Sequence, residues 1–244
     1  MLTDWRETEV RSGGLDRTIH KPNTWLLTLL AFIAEELPKW RDDPVRPSRT
    51  AETELTSQLI AHLNSATHHS RGWDFLQFRT EEPDETTKGR KVDLIPAPRA
   101  ATVWVDGREY NQYSTLIPIE CKRLPTPPGS DRDKREYLFS RYSSTGGVQR
   151  FKAGHHGAAH NMGAMIAYIQ GSDIGFWIKQ LQSWIEELVA DETNTWGNGD
   201  GLSVVSHDHA IRLATLESKH QRISPHPDIH LHHLWIEMPT THET

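Results

Sequence analysis

The sequence predicts an α/β fold: a central mixed, largely antiparallel sheet flanked by helices, with an N-terminal helical extension. Three observations predict it. Short aliphatic and aromatic runs between residues 73 and 122 alternate in polarity and follow one another through short connections, which folds an antiparallel meander. Ile174, Trp177, Ile178, Leu181, Ile185 and Leu188 recur at helical spacing and mark an amphipathic helix after those strands. The chain of 244 residues, 36% hydrophobic and 25% charged, has the apolar content for one large domain, or one domain with a helical appendage.

Taken in order, residues 1–20 are polar and contain Gly13-Gly14, so they are expected to be loosely held. Pro22 and Asn23 introduce a helix over 25–37 with proline in its first turn. Its apolar residues cover most of the circumference, which predicts burial on several sides, by internal packing or by a partner protein or second copy. The charged, proline-containing joint at 41–47 sets a boundary between an extension, 1–46, and the main domain, 47–244. Ser48 or Thr50 is the expected cap of a second helix over 52–63. Leu55, Leu59 and Leu63 form its inward face; Glu52 lies on that face and Glu54 points away.

Residues 73–78 alternate as a strand, and a polar loop at 81–89 leads to a second strand over 90–96. In it Val92 and Leu94 face one way, Asp93 and Ile95 the other. Residues 102–105 and 108–110 read as a hairpin on the Asp106-Gly107 turn. The run 115–123 is a further strand, closed by the Pro/Gly-rich stretch 125–129. Ile117, Ile119 and Cys121 share one of its faces, Glu120 and Lys122 the other. Beyond it, the small residues of 158–169 predict a helix ended by Gly171, and two late strands are expected over 210–216 and 229–237.

Composition limits the function classes. A net charge of −6 excludes a general polycation, so any nucleic-acid contact needs a local basic patch. Residues 120–154 hold one, with eight Lys and Arg against four Asp and Glu. Cys121 is the single cysteine, which excludes an intrachain disulfide and a cysteine zinc site and fits a reducing cytoplasm. The uncharged apolar run 25–34 is too short to span a bilayer and lacks the features of a signal peptide, so a cytoplasmic protein with no membrane partner is expected.

The chemistry centres on Glu120 and Lys122, an acid and a base held on one strand face. A carboxylate there can hold a divalent metal, and a lysine beside it can orient water or stabilise a phosphate. The alternative is a solvated ion pair on an edge strand. Asp93 precedes Glu120 by one hairpin excursion of the meander, so their carboxylates can meet across neighbouring strands.

A helix with Glu52, a strand with Asp93, a strand with Glu120-Cys121-Lys122 and a helix preceded by Gln149-Arg150 resemble, in that order, the PD-(D/E)xK nuclease superfamily. That resemblance covers roughly residues 48–237 and implies a restriction-endonuclease-like αβββαβ core. The segment Gly147-Val148-Gln149-Arg150-Phe151-Lys152-Ala153-Gly154 is similar to one in nucleases of bacterial anti-phage and restriction systems. One departure is that Pro96 follows Asp93 rather than preceding it. The resemblance implies a DNA endonuclease in which Asp93, Glu120 and Glu52, with the carbonyl of Ile119 or Cys121, hold Mg²⁺, with Mn²⁺ able to substitute. Lys122 would position a water or stabilise developing charge, and Arg150 or Gln149 would contact the phosphate. Arg123 and Lys152 complete the implied nucleic-acid-binding set. A protein partner or second copy would dock through the N-terminal helix. An RNA-cleaving enzyme, or a catalytically silent subunit for nucleic-acid binding or assembly, is the alternative.

Histidine is the rival signal. Of the 15, His230 and His232 share a strand face, as do His207 and His209 if extended, which makes a zinc site geometrically conceivable. Surface or core histidines are the ordinary reading, and His155 or His156 near the phosphate is a further option.

Overall fold

A computed structural model describes residues 24–84, 89–100, 102–142, 146–191 and 193–239; Gly13-Gly14 and Pro22 lie outside the described residues, as does part of the 81–89 loop. Helix α1 (Thr24–Arg41) runs one turn past the predicted end, with Lys39 and Arg41 in the last turn, where the helix dipole favours cations. Its broad apolar circumference is buried: Leu26, Leu29, Leu30, Ile33, Leu37 and Trp40 join one hydrophobic cluster with Leu55, Leu59 and Leu63 of α2 (Glu52–His69). Leu27 is the large apolar residue of α1 left exposed. The expected caps of α2 are corrected. Ala51 is its N-cap and no side chain caps it. The Thr50 carbonyl instead accepts from Arg123 Nη1 and Gln170 Nε2, and Glu52 and Glu54 supply the negative charge of the first turn.

Strands β1 (Leu76–Pro83) and β2 (Lys91–Pro98) pair antiparallel, and β3 (Val103–Val105) with β4 (Arg108–Tyr110) forms the separate hairpin the sequence predicts. Asp106 and Gly107 have φ of 49° and 80°, the two positive values that a tight primed turn demands. Strand β5 (Ile119–Leu124) pairs antiparallel with β2 and parallel with β6 (Met162–Ile169). The predicted helix over 158–169 is therefore wrong. All eight residues of β6 are buried and lie between parallel neighbours, so the run has no polar face to give its period away.

After α3 (Gly147–Lys152) and α4 (Ile174–Ala190), β7 (Ser203–Asp208) and β8 (Leu213–His220) form an antiparallel pair where one strand was expected. β7 carries no buried residue, so it left no hydrophobic signature. With β9 (Ile229–Glu237) the sheet has seven strands in the order β1-β2-β5-β6-β9-β8-β7. It is a mixed α/β sheet, parallel at β5-β6-β9 and antiparallel outside. Side-chain alternation sorts the core into two layers. Ala164, Ile166, Tyr168, Leu234 and Ile236 meet α1 and α2, while Met165, Ala167, Leu231 and Trp235 meet α4. Among the described residues no helix is long and apolar enough to cross a membrane.

Candidate functional site

β2 and β5 are paired at one register position only, Leu94 opposite Ile119. Past that point β5 turns an edge toward the gap, and its backbone donors need partners. Two carboxylates supply them. Asp93 Oδ2 accepts from Cys121 N at 2.9 Å, and Glu52 Oε2 accepts from Arg123 N at 3.1 Å. Glu52 reaches the gap because it opens α2 at the end of the buried Leu55–Leu59–Leu63 stripe. Arg123 fastens the same junction through its bond to the Thr50 carbonyl.

Lys122 stands at the centre. Its Nζ lies 2.9 Å from Glu120 Oε1, 3.1 Å from Glu52 Oε1 and 3.9 Å from Asp93 Oδ2, and it donates to the Cys121 carbonyl at 3.1 Å. Burial alone would lower its pKa. The carboxylates, Glu120 foremost, outweigh burial and hold the ammonium charged well above the ordinary lysine range. Glu120 is fully buried; against that burial Lys122, His156 and Arg150 bring its carboxyl down to about 2. Arg150 Nη1 donates to Glu120 Oε1, and His156 Nδ1 sits 3.1 Å from Oε2 without hydrogen-bond alignment. Asp93 behaves oppositely. Three-tenths of its side chain is open, yet crowding by protein and then the Glu120 charge push its carboxyl up to about 7.

Two cavities meet at Asp93. One, of about 610 Å³, is lined by Glu81, Arg90, Lys91, Asp93, Arg150 and His156. The other, of about 40 Å³, lies among Glu52, Thr53, Thr56, Thr80, Glu81 and Asp93. The second is larger than the roughly 10–15 Å³ that one water requires. Hard carboxylate oxygens bordering such a space fit Mg²⁺ or Mn²⁺ in donor type and room. Glu120 borders neither cavity. The three carboxylates are spread around the Lys122 ammonium rather than around one shared point, which differs from the expected metal triad.

Five expected residues thus converge: Glu52, Asp93, Glu120, Lys122 and Arg150. Two do not. The Gln149 amide oxygen accepts from the backbone of Ser140 and Gly146, bracing the entry to α3. Lys152 is buried with Asp200 at 2.7 Å, facing a different cavity, so a role as a phosphate contact is corrected to an internal ion pair. His156 beside the site was the option the sequence raised, whereas Arg90, Lys91 and Glu81 were not among the expected site residues. The Arg90-Lys91 pair directly before Val92-Asp93 was the available signal for a basic rim. Comparison of the chain with protein-family models, with curated proteins and with solved structures gives no match.

Proposed function

We propose that the chain is a divalent-metal-dependent endonuclease that hydrolyses DNA phosphodiester bonds. The observation that carries this reading is the meeting of Glu52, Asp93 and Glu120 around Lys122 at the splayed β2–β5 edge, beneath a cavity rimmed by Arg90, Lys91 and Arg150. Asp93 and Glu52 would hold the ion, with Glu120 immediately behind Lys122. A bound Mg²⁺ would polarise the scissile phosphate and acidify a water. The chain's own groups do the rest. Arg90, Lys91 and Arg150 line the cavity and attract the phosphate. Lys122 Nζ keeps a full positive charge 3.9 Å from Asp93, where it would stabilise the negative charge that builds on a phosphate held beside Asp93. Asp93, whose carboxyl is pushed up to about 7 in the metal-free site, would give up its proton on taking the ion. A setting in anti-phage defence or restriction is proposed on the resemblance of the motif alone.

The test is plasmid cleavage with Mg²⁺ and with EDTA. Metal-dependent nicking that falls by at least about a hundredfold in Lys122→Ala and Asp93→Asn supports the reading. Cleavage undiminished in both variants overturns it.

One observation favours a second reading. The complete burial and pairing of Glu120 is what a structural ion-pair network shows, as a nucleic-acid-binding or assembly subunit without catalysis would retain. Salt-dependent DNA binding by a protein that cuts neither DNA nor RNA would select it.

A further inference from the structure

Strands β8 and β9 carry a second cluster of ligating groups on the face that packs against α1. Glu217 and His232 are direct cross-strand partners, and His230, two residues before His232, lies on the same face. Glu217 Oε2 is 3.1 Å from His230 Nε2, and Oε1 is 3.5 Å from His232 Nδ1. The two imidazoles are close, with ring centroids 4.4 Å apart. Among the described residues this is the one group of three such side chains whose ligand atoms all lie within 4.8 Å of one another.

We propose that Glu217, His230 and His232 form a binding site for a Zn²⁺-class cation, with three protein ligands and one position left for water. Donor spacing is the first argument. Tetrahedral zinc with bonds of about 2.0–2.1 Å separates its donors by roughly 3.3 Å; one ligand atom from each of the three side chains lies within 4.8 Å of the others, and the two carboxylate oxygens stand 3.1 Å from His230 Nε2 and 3.5 Å from His232 Nδ1. Donor type is the second: two imidazole nitrogens and a carboxylate suit zinc, cobalt or nickel and not magnesium. The third is the state of His232. It is 7% exposed, and the ring turns Nδ1 toward Glu217 Oε1 at 3.5 Å, which leaves Nε2 on the other side of the ring without a hydrogen-bond partner. The site is open on one side. Glu217 and His230 are part-exposed, and His232 borders a cavity of about 150 Å³ under Leu27, Leu30 and Ala34 of α1. It lies on β8 and β9, separated by β6 from the β5 edge of the Asp93 cluster, and does not depend on the function assigned there.

Untagged, EDTA-stripped protein equilibrated with Zn²⁺ and then with Co²⁺ tests the proposal. One equivalent of Zn²⁺, a rise in melting temperature, and visible Co²⁺ absorption of tetrahedral intensity are expected, all retained in Asp93→Asn. His230→Ala, at a part-exposed position, should weaken binding at least tenfold; His230→Ala with His232→Ala should abolish it. Binding unchanged in His230→Ala, or no stoichiometric binding by the wild-type chain, overturns the proposal.

Discussion

Asp93 Oδ2 accepts the backbone N–H of Cys121 across a gap in the sheet, taking the place a ladder carbonyl would hold if β2 and β5 stayed paired. One side chain thereby closes the strand edge and is fixed beside Lys122. The carboxylate is locally strained by charge: Glu120 is its neighbour and part of its water is gone.

Asp93 therefore makes stability fall as pH rises. Its folded pKa, about 7, is above the ordinary value of 3.8, so between those values the folded state holds a proton that the unfolded state has lost. The stabilisation is full below the unfolded value and disappears as pH passes through 7. Asp93→Asn should stabilise the protein by roughly 1–2 kcal/mol at pH 8 and by less at pH 5, since one pKa unit corresponds to about 1.4 kcal/mol. Urea melts at both pH values check this. A variant less stable at pH 8 than at pH 5, relative to wild type, contradicts the assignment.

The same proton competes with metal. If Asp93 is a ligand, Mn²⁺ affinity should rise about tenfold per pH unit below 7 and level off above it, with release of one proton on binding. Calorimetry in buffers of different ionisation enthalpy counts that proton. A pH-independent affinity in the wild-type chain would remove Asp93 from the ligand set.

Lys122 answers for three carboxylates at once. Its replacement by methionine keeps the length and removes the charge, leaving the fully buried Glu120 with Arg150 and His156 alone. Breaking a buried pair in this way costs about 3–5 kcal/mol. Glu52→Gln, at the part-exposed end of the network, should cost only about 1 kcal/mol. Denaturation midpoints that reverse this order would show that Lys122 is not the centre of the cluster.

Much of this arrangement was legible from alternation along strands. Glu120 and Lys122 had to share a face, Asp93 had to oppose Val92 and Leu94, and Glu52 had to fall on the leucine stripe of α2. Asp106-Gly107 named its turn because few other pairs tolerate two positive φ values. What failed had no periodic signal. β6 is buried on both faces and rich in small residues, which reads equally as a helix; β7 has no buried residue. His156 and Lys152 depend on where α3 and its following loop pack, a tertiary outcome that local sequence does not encode. The partners of Lys152 and His220 meet only through the turn at Asn198–Asp200.

The rim and the interior lysine should separate cleanly in DNA-binding experiments. Lys91 lines the large cavity beside Asp93, with its ammonium exposed and paired to Glu81 at the surface. Lys91→Ala should lower the dependence of log affinity on log salt by about one ion, with stability changed by less than about 0.5 kcal/mol. Lys152 behaves otherwise. It donates to both oxygens of Asp200 at 2.7 and 2.8 Å, and Asp200 also binds His220, which is linked to His233 through Ser218. Burial opposes ionisation of Asp200, but His220 and Lys152 win and lower its pKa. The stability it contributes is present above the ordinary carboxylate value of 3.8 and is lost as pH falls through the lower folded value. Lys152→Met should leave the salt slope unchanged at neutral pH and should destabilise the fold, because Asp200 then keeps only His220. A slope reduced by one in Lys152→Met, with normal stability, would return Lys152 to the nucleic-acid surface.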